Sequence, residues 1–209
     1  MAPLILPIFP LPDITFFPGT LLPLHVFEAR YRAMMVDTLQ RRPAWMAVVA
    51  FKPGFEASYA GKPAVREICG AGRVVGSERL PTGRFNIVLR GECRIRIVTE
   101  LPTDTLYRVV RADRLEDVPP QTDVTPLLSR VRASCRRLLE TLGRPADLLD
   151  AALADDQPAG VVADRVAAAV LPNPALRQEL LETLDVGERL GRVASGLDAL
   201  VTELRGGRE

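Results

Sequence analysis

The stretch Leu22-Pro23-Leu24-His25-Val26-Phe27-Glu28-Ala29-Arg30-Tyr31-Arg32-Ala33-Met34-Met35-Val36-Asp37-Thr38-Leu39 changes its hydrophobic period once, near Glu28. Residues 21–27 form an apolar run with Pro23 inside it, which reads as an extended strand. After Glu28, Tyr31, Met34, Met35, Thr38 and Leu39 recur at i, i+3, i+4, i+7 and i+8, so one helical face is apolar. The spacing predicts a helix over residues 28–39, stopped by Pro43.

On the N-terminal side, Leu4-Ile5-Leu6-Pro7-Ile8-Phe9 is extended, and its prolines suit an edge strand. Pro18-Gly19 marks a turn between it and the decisive stretch. On the C-terminal side, residues 45–51 read as a short buried strand. Further strands are expected at Arg73-Val74-Val75, Phe85–Leu89, Cys93–Val98 and Tyr107–Val110, with turns at Leu80-Pro81-Thr82-Gly83 and a break at Gly91. Many short strands around one helix suggest a small, mostly antiparallel barrel.

The pattern changes at Pro119-Pro120, a stiff linker candidate. We therefore expect two subdomains, residues 1–118 and 119–209. The first carries a net charge of +4 and the second −3, giving +1 for the 209-residue chain. In the second, Val124, Leu127, Leu128, Val131, Cys135, Leu138, Leu139 and Leu142 make a continuous helical stripe. Thr125-Pro126 is expected to start that helix and Gly143 to end it. Shorter helices are expected near 146–153, 160–170 and 174–184. A last helix opens on the capping-box-like Asp185-Val186-Gly187-Glu188. Its seam (Val186, Leu190, Val193, Leu197, Leu200, Leu204) spans under three heptads, which favours packing inside the chain over an independent coiled coil. The fold class is thus α+β: a β-barrel with one inserted helix, followed by a helical bundle.

Composition narrows the function. The chain is 47% hydrophobic and 25% charged, which excludes a disordered or collagen-like chain. Near-zero net charge speaks against a dedicated nucleic-acid binder. Cys69, Cys93 and Cys135 are far apart and odd in number, fitting neither a disulfide framework nor a zinc site. They read as core residues of a cytoplasmic protein. The apolar N-terminus has no Lys or Arg before Arg30 and is interrupted by prolines, unlike a signal peptide.

Catalytic patterns are missing. There is no GxxxxGK[ST] and no GxSxG. The lone histidine, His25, reads as a hydrogen-bonded structural residue, since no nucleophile or orienting partner can be placed beside it. Asp155-Asp156, and Asp104 with Asp113, read as solvated carboxylates. Arg130, Arg132, Arg136 and Arg137 read as the wet face of their helix. No catalytic residue, metal ligand or cofactor site is assigned.

The segments Leu6-Pro7-Ile8-Phe9-Pro10-Leu11, Phe17-Pro18-Gly19 and Leu22-Pro23-Leu24-His25-Val26-Phe27-Glu28-Ala29-Arg30-Tyr31-Arg32 closely resemble the N-terminal substrate-binding domain of Lon-type ATP-dependent proteases. Gly72-Arg73-Val74, residues 80–87, Gly91 before Arg94-Ile95-Arg96-Ile97, and Leu184-Asp185-Val186-Gly187-Glu188-Arg189-Leu190 extend the resemblance over nearly the whole chain. Ala29 stands where the family usually has proline.

The resemblance implies a PUA-like barrel followed by a helical bundle. It also implies a standalone, non-catalytic module that recognises unfolded or hydrophobic polypeptide segments as adaptor or regulator. An ATP-dependent protease is a candidate partner, and self-association would supply avidity. An RNA-binding module, as some PUA-like barrels are, is the alternative. Such recognition can use an exposed apolar patch or an open strand edge. Phe16, Phe17, Leu21 and Leu22 around the Pro18-Gly19 turn are the candidate patch, or else barrel-core residues. Glu28, Arg30, Tyr31 and Arg32 are its expected polar rim, or else fix the helix to the barrel. A patch of ~400 Å² gives roughly 10 kcal/mol gross at ~25 cal/mol/Å². Association costs of ~4–15 kcal/mol leave a single domain with micromolar affinity at best.

Overall fold

The computed structural model describes residues 3–58, 61–154 and 156–206. The chain divides into two compact units, Met1–Glu116 and Asp117–Glu209. The fold is mixed α+β, with a six-stranded sheet in the first unit and helices in the second.

The sheet contains β1 (Leu4–Leu11), β2 (Leu21–Val26), β3 (Trp45–Ala50), β4 (Ile68–Arg79), β5 (Phe85–Leu101) and β6 (Val109–Leu115). Helix α1 (Ala29–Gln40) lies between β2 and β3. The strand order is β2-β5-β4-β3-β1-β6, and β6 pairs again with β5. Every pairing is antiparallel except β1 with β3.

Two expectations are corrected here. First, β1 is not an edge strand. Leu4–Pro7 pair with β6 and Ile8–Leu11 with β3, so the strand hands over from one neighbour to the other at Pro7. Each half is paired on one side only, which is how a strand with two prolines can sit inside the order. Second, Gly91 does not break a strand. β5 runs unbroken for 17 residues. The glycine is there because the chain before β2 crosses at that point: a Cβ on Gly91 would lie 2.0 Å from the Phe17 carbonyl oxygen, and one on Gly70 1.8 Å from that of Phe16. Gly19 N–H donates to Gly91 O and Gly91 N–H to Thr20 O, each at 2.9 Å, which clamps the crossing.

Each face of the sheet carries a buried layer. One packs Phe9, Met46, Val48, Phe85, Ile87 and Leu89 against Tyr31, Met34 and Met35 of α1, the face its spacing forecast. The other gathers Leu6, Ile8, Ala47, Val49, Cys69, Ala71, Cys93, Ile95 and Ala112. Small residues dominate this second layer, and two of the cysteines serve as small apolar fillers in it.

All three cysteines are free and buried. Burial pushes the Cys69 and Cys93 thiols above their ordinary range, and that of Cys135 up to about 11. The thiolate is the reactive form, so these thiols are inert in the folded chain. A thiol-disulfide reagent at pH 8 is expected to label none of the three within minutes in buffer and all three in denaturant. Rapid labelling without denaturant contradicts this packing.

The second unit comprises α2 (Thr125–Leu142), α3 (Asp150–Leu153), α4 (Ala159–Val170), α5 (Pro174–Glu182) and α6 (Val186–Gly206). α2 starts one residue earlier than the expected Thr125 cap: Val124 is the N-cap, and Asp123 Oδ1 accepts from Thr125 N–H and Oγ1 at 2.9 and 2.7 Å. Asp185 caps α6, accepting from Glu188 N–H at 2.8 Å. The α6 seam packs on α2 and α4 within the chain. It follows the straight-helix period, so Val201 rather than Leu200 is buried.

The polar face of α2 is partly used. Arg130 donates to Asp198 Oδ2 through Nη2 at 2.7 Å, Arg137 to Oδ1 at 2.9 Å, and Ser134 Oγ to Oδ1 at 2.5 Å. The Ser134 hydroxyl, followed by the two guanidinium groups, holds the Asp198 carboxyl below the usual carboxylate range. Asp155 lies outside the described residues; Asp104, Asp113 and Asp156 are exposed.

Candidate functional site

β2 ends the strand order and pairs only with β5 among the described residues. Its alternation sets which side chains point where. Leu22 and Leu24 are half-buried and pack on the α1 core, whereas Leu21, Pro23 and His25 face outward. Leu21 is 61% exposed, and Phe27, just past the strand, is 59% exposed. Pro23 removes one backbone donor from this edge, which limits indiscriminate strand pairing.

The outward row continues across the sheet. Leu21 lies opposite Arg90, Pro23 opposite Val88, and His25 opposite Asn86. On the far side of β5, Arg73 lies opposite Arg90, Gly76 opposite Val88 and Glu78 opposite Asn86. A register shift between Val74 and Gly76 pushes Val75 out, 46% exposed. The floor is a shallow concavity of about 530 Å³, walled by Pro23, Val88 and Gly76 and closed at one end by a polar relay. There, His25 Nδ1 lies 2.8 Å from Asn86 Oδ1, and Asn86 Nδ2 donates to Glu78 Oε2 at 3.0 Å. His25 is hydrogen-bonded, as expected, but on the surface. Its ring stacks on Phe27 at 6.3 Å between centroids.

The residues expected to form one site are dispersed. Phe16 and Phe17 are 1% and 0% exposed. An exposed patch there is thus corrected: their backbone is held against Gly70 and Gly91, and both rings point into the protein. Leu21 is on the surface and Leu22 at its margin. Tyr31 is buried, its ring 4.3 Å from that of Phe9. Arg30 donates through Nε to Glu28 Oε2 at 3.0 Å, and its guanidinium lies 4.7 Å from the Tyr31 centroid. Arg30 and Tyr31 border a cavity of about 340 Å³ with Thr105, Tyr107 and Arg108. Tyr107 donates to Asp37 at 2.7 Å; burial and this bond push its phenol up to about 12. Arg32 instead reaches the β4–β5 turn, its Nη1 3.2 Å from where a Gly83 Cβ would stand. The sequence reading missed Phe27, although a strict alternation from buried Val26 would have turned it outward.

Among the described residues, no group of three or more His, Cys, Asp and Glu is placed to hold a metal, and no helix is long and apolar enough to cross a membrane.

Fold and surface together define a mixed α+β domain that offers apolar side chains along an open sheet edge. The chain belongs to the family of the ATP-dependent protease La (Lon) substrate-binding domain, whose model matches residues 5–199. It is 28% identical over 199 residues to the Lon protease of Roseiflexus castenholzii, covering 94% of this chain and 24% of that protein. It is likewise 28% identical over 191 residues to Lon protease 2 of Myxococcus xanthus, covering 90% and 23%. The chain thus spans about a quarter of the length of these relatives. Among solved structures, it superimposes on the N-terminal domain of a Mycobacterium avium complex Lon protease with a TM-score of 0.74 at 16% identity, covering 93% of this chain and 98% of that one. A Lon N-terminal domain protein from Xanthomonas campestris gives 0.64 at 23% identity, covering 92% and 98%.

Proposed function

We propose that this chain is a non-catalytic polypeptide-recognition module. It acts in the cytoplasm as an adaptor or regulator and binds unfolded or exposed hydrophobic segments. The observation that carries this reading is β2: an edge paired on one side, with Leu21 and Phe27 largely exposed beside it. An extended segment added at that edge gains main-chain hydrogen bonds whatever its sequence, and seats apolar side chains on Leu21, Pro23 and Phe27. We read the pairing circuit β5-β4-β3-β1-β6-β5 as a PUA-like barrel that holds this edge rigid. An ATP-dependent protease is the partner class that the family resemblance supports. In this reading Glu28, Arg30 and Tyr31 fix the start of α1 and act on binding through the position of Phe27. Phe16 and Phe17 support the edge from beneath.

The test is anisotropy with a labelled, permanently unfolded polypeptide. Fully covering a Leu or Phe side chain contributes about 1.5–3 kcal/mol. Replacing both Leu21 and Phe27 by aspartate is therefore expected to weaken binding at least tenfold. Leu148→Asp, at a similarly exposed position (58%) in the helical unit, leaves it within twofold. Equal affinity for the Leu21/Phe27 variant and the unaltered chain overturns the reading.

A further inference from the structure

Beside the apolar floor lies a second cleft, of about 500 Å³, where the α1–β3 connection meets β4 and β5. Four arginines line it: Arg41 and Arg42 from the connection, Arg73 from β4 and Arg90 from β5. No carboxylate lines it among the described residues. Glu92 engages Arg73, accepting from Nε and Nη2 at 2.8 and 2.6 Å. Arg42 and Arg90 are exposed and make no side-chain hydrogen bond or ion pair among the described residues.

Arg73 and Arg90 are also direct cross-strand neighbours. Like charges in that relation repel and destabilise a sheet. Arg41 and Arg42 line the same cleft and add positive charge to it, and Glu92 offsets one charge of the four. An anion entering the cleft relieves this repulsion, and planar guanidinium groups match carboxylate oxygens in pairs. The cleft shares Gly76 and Ser77 with the apolar concavity. A segment lying along β2 and β4 therefore meets arginines at one end and the Glu78 relay at the other.

We propose that the Arg41–Arg42–Arg73–Arg90 cleft is a subsite for acidic side chains of a bound polypeptide. It would give this module a preference for apolar segments that continue into Asp or Glu residues. The proposal rests on the polypeptide-recognition reading and specifies its substrate class. Continuity with the apolar floor favours a polypeptide occupant over a nucleic acid, which has no apolar side chains to place on Leu21, Pro23 and Val88.

The test compares two labelled unstructured peptides sharing one apolar half. One continues into four Asp/Glu residues, the other into the matching Asn/Gln residues. At low salt the acidic peptide is expected to bind about tenfold more tightly, the sum of two or three partly exposed ion pairs. The advantage shrinks as salt screens it. In the Arg42→Gln/Arg90→Gln variant the ratio falls to about one, whereas Arg96→Gln, an exposed arginine outside the cleft, keeps it. Both peptides bound with no acidic preference, or a preference that survives Arg42→Gln/Arg90→Gln, overturns the subsite and leaves β2 recognition standing. Neither peptide bound overturns both readings. Single-stranded RNA bound more tightly than the acidic peptide, and lost in the Arg42/Arg90 variant, assigns the cleft to phosphate and overturns the proposal.

Discussion

Replacing Arg189 by methionine is expected to cost the helical unit about 3–5 kcal/mol, the range for breaking one side of a buried charge cluster. Arg189 is fully buried in α6. Nη1 donates to Asp117 Oδ1 at 3.0 Å and to the Thr183 carbonyl at 2.7 Å, and Nη2 donates to Asp117 Oδ2 at 2.5 Å. Its Nε lies 3.2 Å from Asp164 Oδ1, an ion-pair contact without hydrogen-bond alignment. Asp164 is itself buried on α4, so removing the guanidinium takes away the cation beside a buried carboxylate and one donor to a carbonyl. Asp117 is partly exposed and can turn to water. Arg189 thus ties the entry of the unit to α4 and α6, alongside the backbone bonds of Val118 with Leu184 and Val186. Urea unfolding followed by helical circular dichroism measures the loss. Adding Asp164→Leu to Arg189→Met is expected to recover part of it, because the buried carboxylate that faced the guanidinium goes with it. A single variant within about 1 kcal/mol of the parent contradicts the assignment.

The second large effect belongs to Gly91. An alanine there brings Cβ to 2.0 Å from the Phe17 oxygen and 2.9 Å from its carbon. These are backbone atoms, and the paired hydrogen bonds of Gly19 and Thr20 across the crossing prevent a simple retreat. Either those bonds lengthen or the β5 ladder shifts, and Gly91→Ala is expected to destabilise the sheet unit by about 3 kcal/mol, the upper range for overpacking. Gly76→Ala is the internal comparison. It lies on the same β4–β5 ladder, where a new Cβ meets Val88 Cβ at an ordinary 3.7 Å. It is expected to change stability by less than about 1 kcal/mol. Thermal unfolding of the two variants side by side decides: equal midpoints refute the crossing as a constraint.

These two positions show what the sequence could and could not disclose. The helices were legible because each buries one face: Tyr31, Met34 and Met35 in α1, and Val131, Cys135 and Leu138 in α2, have no competing arrangement. β3 was legible as a continuous apolar run. The extents of β4 and β5 were not. Gly70, Gly72, Gly76 and Gly91 dilute the strand pattern, and a glycine required by a crossing chain looks the same in sequence as a glycine that ends a strand. The same crossing explains Phe16 and Phe17. Apolar residues beside a Pro-Gly turn can face in or out, and only the matching glycines on β4 and β5 place them inside. Arg189 stood within a segment chosen for its family resemblance, yet its burial depends on Asp117, 72 residues away. The arginine cleft was illegible for the same reason, since its four members come from three elements that only the β3–β4 and β4–β5 pairings bring together.

The family resemblance sets an expectation of substrate binding, and the proposed function puts it at the open edge of β2. An edge without a second partner leaves backbone amide groups to water, so their hydrogens exchange readily. Strand addition would bury and bond them, and this is the most direct signature of the proposed mode. The decisive measurement is amide hydrogen exchange, read by mass spectrometry, with and without a saturating unfolded polypeptide. The account predicts new protection concentrated in residues 21–28, with a smaller effect on the outward row of β4 and β5. Protection confined to other segments, with residues 21–28 exchanging as in the free protein, would contradict it.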